Sequence, residues 1–126
     1  MFGCEKIRIL KRFAEKRHGV LDWYDDVTSS TFRDLAPRVD VLVAGFDCQP
    51  FSAAGLHLGV LDPGGRGVLV FHILHYVKVN LPPVVILENV KGLVRDHPDL
   101  LHEVLKVLLS FEKGSTASIY YSSTDY

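Results

Sequence analysis

The chain has 126 residues, 48 % hydrophobic and 23 % charged, which is long enough for one modest domain with a buried core and too short for two. No apolar run reaches the length of a membrane span, and Met1-Phe2-Gly3-Cys4 has no basic region leading into an apolar stretch, so neither a membrane protein nor a leader is expected. A formal net charge of −1 and a pI near 6.6 lack the basic footprint of an autonomous nucleic-acid binder. The two cysteines, Cys4 and Cys48, stand far apart in a composition unlike a disulfide scaffold, which points to a reducing compartment.

Residues 5–17 repeat apolar positions at Ile9, Leu10, Phe13 and Ala14 among basic residues, the pattern of an amphipathic helix, and His18-Gly19 is a stop signal. A short strand and turn are expected within Val20 to Asp26, then a brief helix from Thr31 to Ala36 ended by Pro37. Residues 39–44 read as an apolar strand. Glycines at 55, 59, 64 and 65, with Gly67 just beyond, make residues 46–66 a long irregular loop. Val68 to Val79 is helical in pattern, Pro82-Pro83 breaks it, and strand 84–87 leads to a turn at Glu88. Lys91 to Asp96 reads as a connection. Pro98 opens a helix to about Phe111, with Leu100, Leu101, Val104, Leu105 and Leu108 as a packing stripe. Ala117 to Tyr121 is a last strand. Strands alternating with helices argue an α/β fold whose parallel sheet is covered on both faces.

Chemistry concentrates at two strand ends. Gly45-Phe46-Asp47-Cys48-Gln49-Pro50-Phe51-Ser52 puts a thiol on a tight turn after one strand, and forty residues later Glu88-Asn89-Val90 puts a carboxyl group at the end of another. In open α/β sheets ligands bind beyond the carboxyl ends of the strands, where both groups fall if the strands are parallel neighbours. The six histidines do not cluster with Cys or acids at metal-ligand spacing, so no zinc site is expected. A lone Cys after a strand is most often a small buried hydrophobe, and a Glu at a strand end is usually just solvated.

GFDCQPFSAAG followed by LENVKGL resembles the Cys-containing and Glu-Asn-Val motifs of the DNA cytosine-5 methyltransferases. The likeness extends through Gly65-Arg66-Gly67-Val68 and Phe71-His72-Ile73-Leu74, and through Cys4-Glu5-Lys6 and Asp25-Asp26-Val27, covering nearly the whole chain. It implies a Rossmann-like fold dependent on S-adenosylmethionine, with DNA cytosine as substrate. Cys48 is then the nucleophile that adds to carbon 6 and makes carbon 5 reactive. Glu88 is the acid near ring nitrogen 3, a role that needs a carboxyl kept partly neutral by burial. Asn89 holds the Cys loop against the Glu turn through its side-chain amide. Base flipping is implied, because the base must leave the duplex to reach such a pocket.

The resemblance puts Glu5 and Asp26 on the cofactor's ribose hydroxyls and adenine amine, with Val27 and Asp47 also at the cofactor and Gln49 and Ser52 at the substrate. Asp25 competes with Asp26, and either Glu5 or Asp26 can equally be an ordinary surface acid. Trp23 and Tyr24 are open to stacking on adenine or to packing in the core.

Three departures qualify the likeness. The family has Pro before the Cys where this chain has Asp47, whose charge disfavours the thiolate. Only four residues precede Glu5, where a glycine-rich first strand and turn are expected. The chain stops at Thr124-Asp125-Tyr126, before the segments that would bind the target nucleotide and read sequence. The reading is a truncated catalytic domain, with a complementing polypeptide as one source of what is missing. The tRNA cytosine-5 branch and a catalytically inactive methyltransferase-fold module are its alternatives. The family's first strand lies between the strand leading to Glu5 and strand 39–44, so an unpaired apolar edge, and an aggregation-prone or partly folded chain, are expected.

Overall fold

The structure is a computed structural model that describes residues 1–19, 22–46, 69–89 and 91–110. In chain order its elements are β1 (Phe2–Cys4), α1 (Arg8–His18), β2 (Asp22–Tyr24), α2 (Ser30–Leu35), β3 (Val41–Gly45), α3 (Leu69–Asn80), β4 (Val84–Glu88), α4 (Lys91–Asp96) and α5 (Pro98–Leu109). They fall into two compact units. The first holds Met1–Ala44 and Leu69–Ile86. The second holds, among the described residues, 45–46, 87–89 and 91–110.

In the first unit β1 and β2 pair in parallel, with Phe2 opposite Asp22, Gly3 opposite Trp23 and Cys4 opposite Tyr24. The ladder runs one step further, where Glu5 N–H donates to Tyr24 O at 3.0 Å. Gly3 is required by its neighbour: a Cβ there would stand 2.5 Å from the Trp23 ring. Helix α1 ends on Gly19, whose left-handed φ of 58° suits glycine, with its N–H donating to Glu15 O. Lys16, Arg17 and His18 complement the helix dipole in the last turn. Helix α2 starts where Ser29 Oγ accepts from Phe32 N–H at 3.1 Å.

Strands β3 and β4 form the second ladder. Val84 N–H donates to Asp40 O at the start of both strands, and Gly45 meets Glu88 at their ends, so they run parallel. The core of the first unit is Phe32 with Leu42 and one face of α3, namely Val70, Ile73, Leu74, Tyr76 and Val77. In the second unit Phe46, Leu93 and Val104 are buried.

Elements from α1 to α5 match the sequence expectation in type, with one exception. Lys91 to Asp96, expected as a connection, is the helix α4. Its six residues include a glycine, too short a stretch to display a helical repeat in the sequence. The predicted strand at 117–121 and most of the loop 46–66 lie outside the described residues.

The expectation of a sheet covered on both faces is not met in the first unit. Leu42 is buried on one side of β3, whereas Val41, Val43, Val84 and Ile86 are exposed, Val43 at 67 %. The apolar stripe of α1 is likewise uncovered: no residue of α1 is buried, and Ile9, Leu10 and Phe13 are exposed. Among the described residues β1 pairs only with β2 and β3 only with β4. An apolar face and open strand edges of this kind favour association between chains. The double substitution Val43→Thr and Ile86→Thr is therefore expected to lower light scattering and raise the monomer fraction in sedimentation, since Thr keeps β propensity while removing apolar surface. Unchanged association would exclude this face as its cause.

Candidate active site

Glu88 ends β4 and Asn89 follows it, both in the second unit with Gly45 and Phe46. The end of β3 carries glycine where the acid comes in: a Cβ on Gly45 would stand 3.3 Å from Glu88 Oε2, closer than side chains normally approach. Asn89 Nδ2 donates to Phe46 O at 3.1 Å, tying the turn after β4 to the residue after β3. Phe46 is buried and directly precedes Asp47-Cys48 in the chain. Asp47, Cys48, Gln49 and Ser52 themselves lie outside the described residues. Glu88 is exposed, in place of the buried carboxyl expected for an acid. Its strand alternates, and position 88 falls on the same open side as Val84 and Ile86. The sequence motif contains Gly45 but gives it no role of its own. Its signal was a glycine at the end of an apolar strand, which marks close approach of another group.

The other acids belong to the first unit. Glu5 leaves β1 and turns its carboxylate onto the start of α1, where Ile7 N–H donates to Oε1 at 2.8 Å. Asp26 follows β2 and closes a tight turn: its Oδ1 accepts from Thr28 N–H at 2.8 Å and from Thr28 Oγ1 at 2.7 Å. Its Oδ2 accepts from Lys6 Nζ at 3.0 Å. The Thr28 N–H, then the Thr28 hydroxyl, then Lys6 pull the Asp26 carboxyl down to a pKa of about 2. Asp25 points to solvent and pairs with Lys11 at 2.7 Å. Of the two competing aspartates, Asp26 is the one built into the turn.

Cys4 shows that these groups converge. Burial first, and then the charges of Asp26, Glu5 and Asp25, push its thiol up to about 11, so it stays protonated at neutral pH. Parallel pairing of β1 with β2 is what brings Glu5 and Asp26 to neighbouring strand ends. Val27 lines a cavity of 340 Å³ with Thr28, Phe32, Phe71, His72 and Tyr76 among its walls. Tyr24 is committed to packing: its ring meets Phe2 and Phe32 and its hydroxyl donates to Leu35 O at 2.8 Å. Trp23 lies against Gly3, with the Lys11 ammonium 5.8 Å from its ring centroid. The Asp26-Val27-Thr28 spacing is a turn signature visible in sequence. The Lys6 contact, across 20 positions, is not.

The Asp26 turn has a pH signature. Its folded pKa of about 2 lies below the ordinary 3.8, so its stabilisation is full above the ordinary value and is lost as pH falls through about 2. Asp26→Ala is expected to lower the urea midpoint at neutral pH by an amount equal to about 1 kcal/mol, the worth of a turn-closing carboxylate. The gap should close as pH approaches 2. A gap that does not change with pH would show that the charge of Asp26 plays no part in the turn.

A family profile described as C-5 cytosine-specific DNA methylase matches residues 8–123. Among curated relatives, the chain is 45 % identical over 85 residues to the type II methyltransferase M.PspPI of Psychrobacter, covering 67 % of this chain and 20 % of that protein. It is 40 % identical over 101 residues to M.NgoBV of Neisseria gonorrhoeae, covering 79 % of this chain and 23 % of the relative. It is 34 % identical over 113 residues to M.BsuFI of Bacillus subtilis, covering 90 % of this chain and 25 % of the relative. The chain thus spans about a fifth to a quarter of the length of these relatives. Since the profile runs from the first residue of α1 to Ser123 and takes in the ends of β2, β3 and β4, the chain belongs to the C-5 cytosine-specific DNA methylase family.

Proposed function

We propose that this chain carries the nucleophile, acid and adenosine-binding segments of a DNA cytosine-5 methyltransferase that uses S-adenosylmethionine, as part of a catalytic domain completed by further sequence. The observation that carries the reading is the junction of two parallel strand ends, where Glu88 stands over Gly45 and Asn89 holds Phe46 O, two residues before Cys48. A parallel pair delivers both turns to one edge of its ladder, the place where α/β sheets bind ligands. Asn89 then acts as a positioning residue for the backbone leading into the Cys loop.

S-adenosylmethionine fits the acids of the first unit by their chemistry. Ribose hydroxyls and an adenine amine are hydrogen-bond donors, and Glu5 and Asp26 are carboxylate acceptors at neighbouring strand ends, both near Cys4. Val27 and the apolar wall of its cavity suit a flat base. When bound, the cofactor supplies a methyl group on a sulfonium sulfur. The chain's own contribution begins with the Cys48 thiolate, which adds to carbon 6 of a flipped cytosine and raises electron density at carbon 5. Glu88 protonates or hydrogen-bonds ring nitrogen 3 as negative charge builds there. After carbon 5 has been methylated, its proton passes to water, the Cys48 thiolate leaves carbon 6 and any proton given to ring nitrogen 3 returns to Glu88, which restores the aromatic ring. Gln49 and Ser52 flank the substrate, and Asp47 stands at the cofactor in the position next to the nucleophile.

Two observations favour an inactive module as the second reading. Glu88 is exposed, and both carboxylate oxygens of Asp26 already have donors. Incubation with labelled S-adenosylmethionine and cytosine-rich DNA separates the readings. The 126-residue chain alone is expected to transfer no measurable methyl group, whereas the chain joined to complementary segments of a complete relative should do so and lose the activity on Cys48→Ser or Glu88→Gln. Transfer that persists in Cys48→Ser would remove Cys48 as nucleophile. Replacing DNA with tRNA as methyl acceptor tests the RNA branch.

Asp47 has its own effect. A carboxylate beside the thiol disfavours the thiolate by repulsion, so Asp47→Pro is expected to shift the pH profile of Cys48 alkylation to lower pH. Cys4→Ser in both proteins removes the second thiol from the assay. Coincident profiles would rule the effect out.

A further inference from the structure

Lys6 follows Glu5 on the turn between β1 and α1, and its side chain is 79 % exposed. It reaches 20 positions along the chain to place Nζ 3.0 Å from Asp26 Oδ2. The other oxygen, Oδ1, is committed to its own turn by the N–H and hydroxyl of Thr28, which also fix the plane of the carboxylate. Oδ2 is thus the oxygen of Asp26 left to serve a ligand, and an ammonium group sits on it.

We propose that Lys6 is a competing arm at the adenosine site and tunes which purine the site accepts. The proposal rests on the reading of Asp26 as acceptor for the adenine amine. An ammonium and an exocyclic amine are both donors, so they compete for Oδ2, and adenosine enters by exchange with Lys6. A purine carrying a carbonyl in place of that amine behaves oppositely, because its oxygen accepts from Lys6 Nζ. An exposed ion pair between a flexible lysine and a carboxylate is weak and screened by salt, so exchange is possible at modest cost. Lys6 thereby discriminates against the amine it displaces and in favour of a carbonyl purine, and its removal sharpens selection for adenine.

Calorimetric titration of the full chain with adenosine and with inosine tests this, using wild type, Lys6→Met and Asp26→Asn, with circular dichroism to confirm that each is folded. Lys6→Met is expected to bind adenosine about 2–5-fold tighter at low salt, with inosine unchanged or weaker, and the gain should shrink at high salt. Equal or weaker adenosine binding by Lys6→Met, or a parallel gain for inosine, overturns the proposal. If that occurs while Asp26→Asn still weakens adenosine, the reading of Asp26 stands and only the role of Lys6 falls. If Asp26→Asn leaves adenosine binding unchanged, or no chain binds adenosine, the reading of Asp26 fails and the proposal with it.

Discussion

Four aromatic rings hold the first unit in register. Phe2 on β1, Tyr24 on β2, Phe32 on α2 and Tyr76 on α3 form a closed ring of contacts with centroids 5.5–6.0 Å apart, each pair edge to face or tilted. Each element contributes one ring, so none can slide without opening several pairs, each worth roughly 0.5–1.5 kcal/mol beyond its buried area. The hydroxyls reinforce the arrangement, with Tyr24 donating to Leu35 O and Tyr76 to Pro37 O on the segment that leads from α2 into β3. A one-residue slip of β1 against β2 would put Phe2 and Tyr24 on opposite faces of the ladder, so that both could no longer join the cluster. It would also separate Glu5 from Asp26. Hydrophobic packing thereby sets the spacing of two carboxylates that it does not touch.

Charge at those strand ends is held by weak, exchangeable contacts. Lys6 and Lys11 stand on successive turns around the start of α1 and reach Asp26 and Asp25. Both pairs have one partner largely in solvent, which keeps them near the low end of ion-pair strength. The bonds from Thr28 to Asp26 are local to a turn and do not depend on distant groups. The division suits a binding edge: short-range bonds fix the geometry of the carboxylate, and a long flexible cation occupies its outer oxygen. Cys4, at the end of β1, is a thiol that burial and three nearby carboxylates keep protonated.

The ends of β3 and β4 follow the same economy with different means. A glycine makes room for a carboxylate, and an amide side chain fastens one turn to the next. Backbone carbonyls bind without regard to side-chain identity, so Asn89 can fix the residue before Asp47-Cys48 without itself meeting a substrate. Open apolar faces on β3, β4 and α1 stand in contrast to this local order. Parallel strands are built for cover on both sides, and here one face of β3 and β4 remains exposed.

Local chemistry in the chain determined much of this. Gly19 stops α1, Ser29 caps α2, Pro98 opens α5, and the motifs around Cys48 and Glu88 carry the family resemblance without the fold, because each of these signals acts within a few residues. The helix at Lys91–Asp96 is too short to display a period in the sequence. Tertiary structure alone decided the rest. It joined Tyr24 to the aromatic cluster, left Glu88 and the stripe of α1 exposed, and brought Lys6 onto Asp26. Those outcomes depend on which groups meet between separate elements, and a pattern read within one segment carries no record of such meetings.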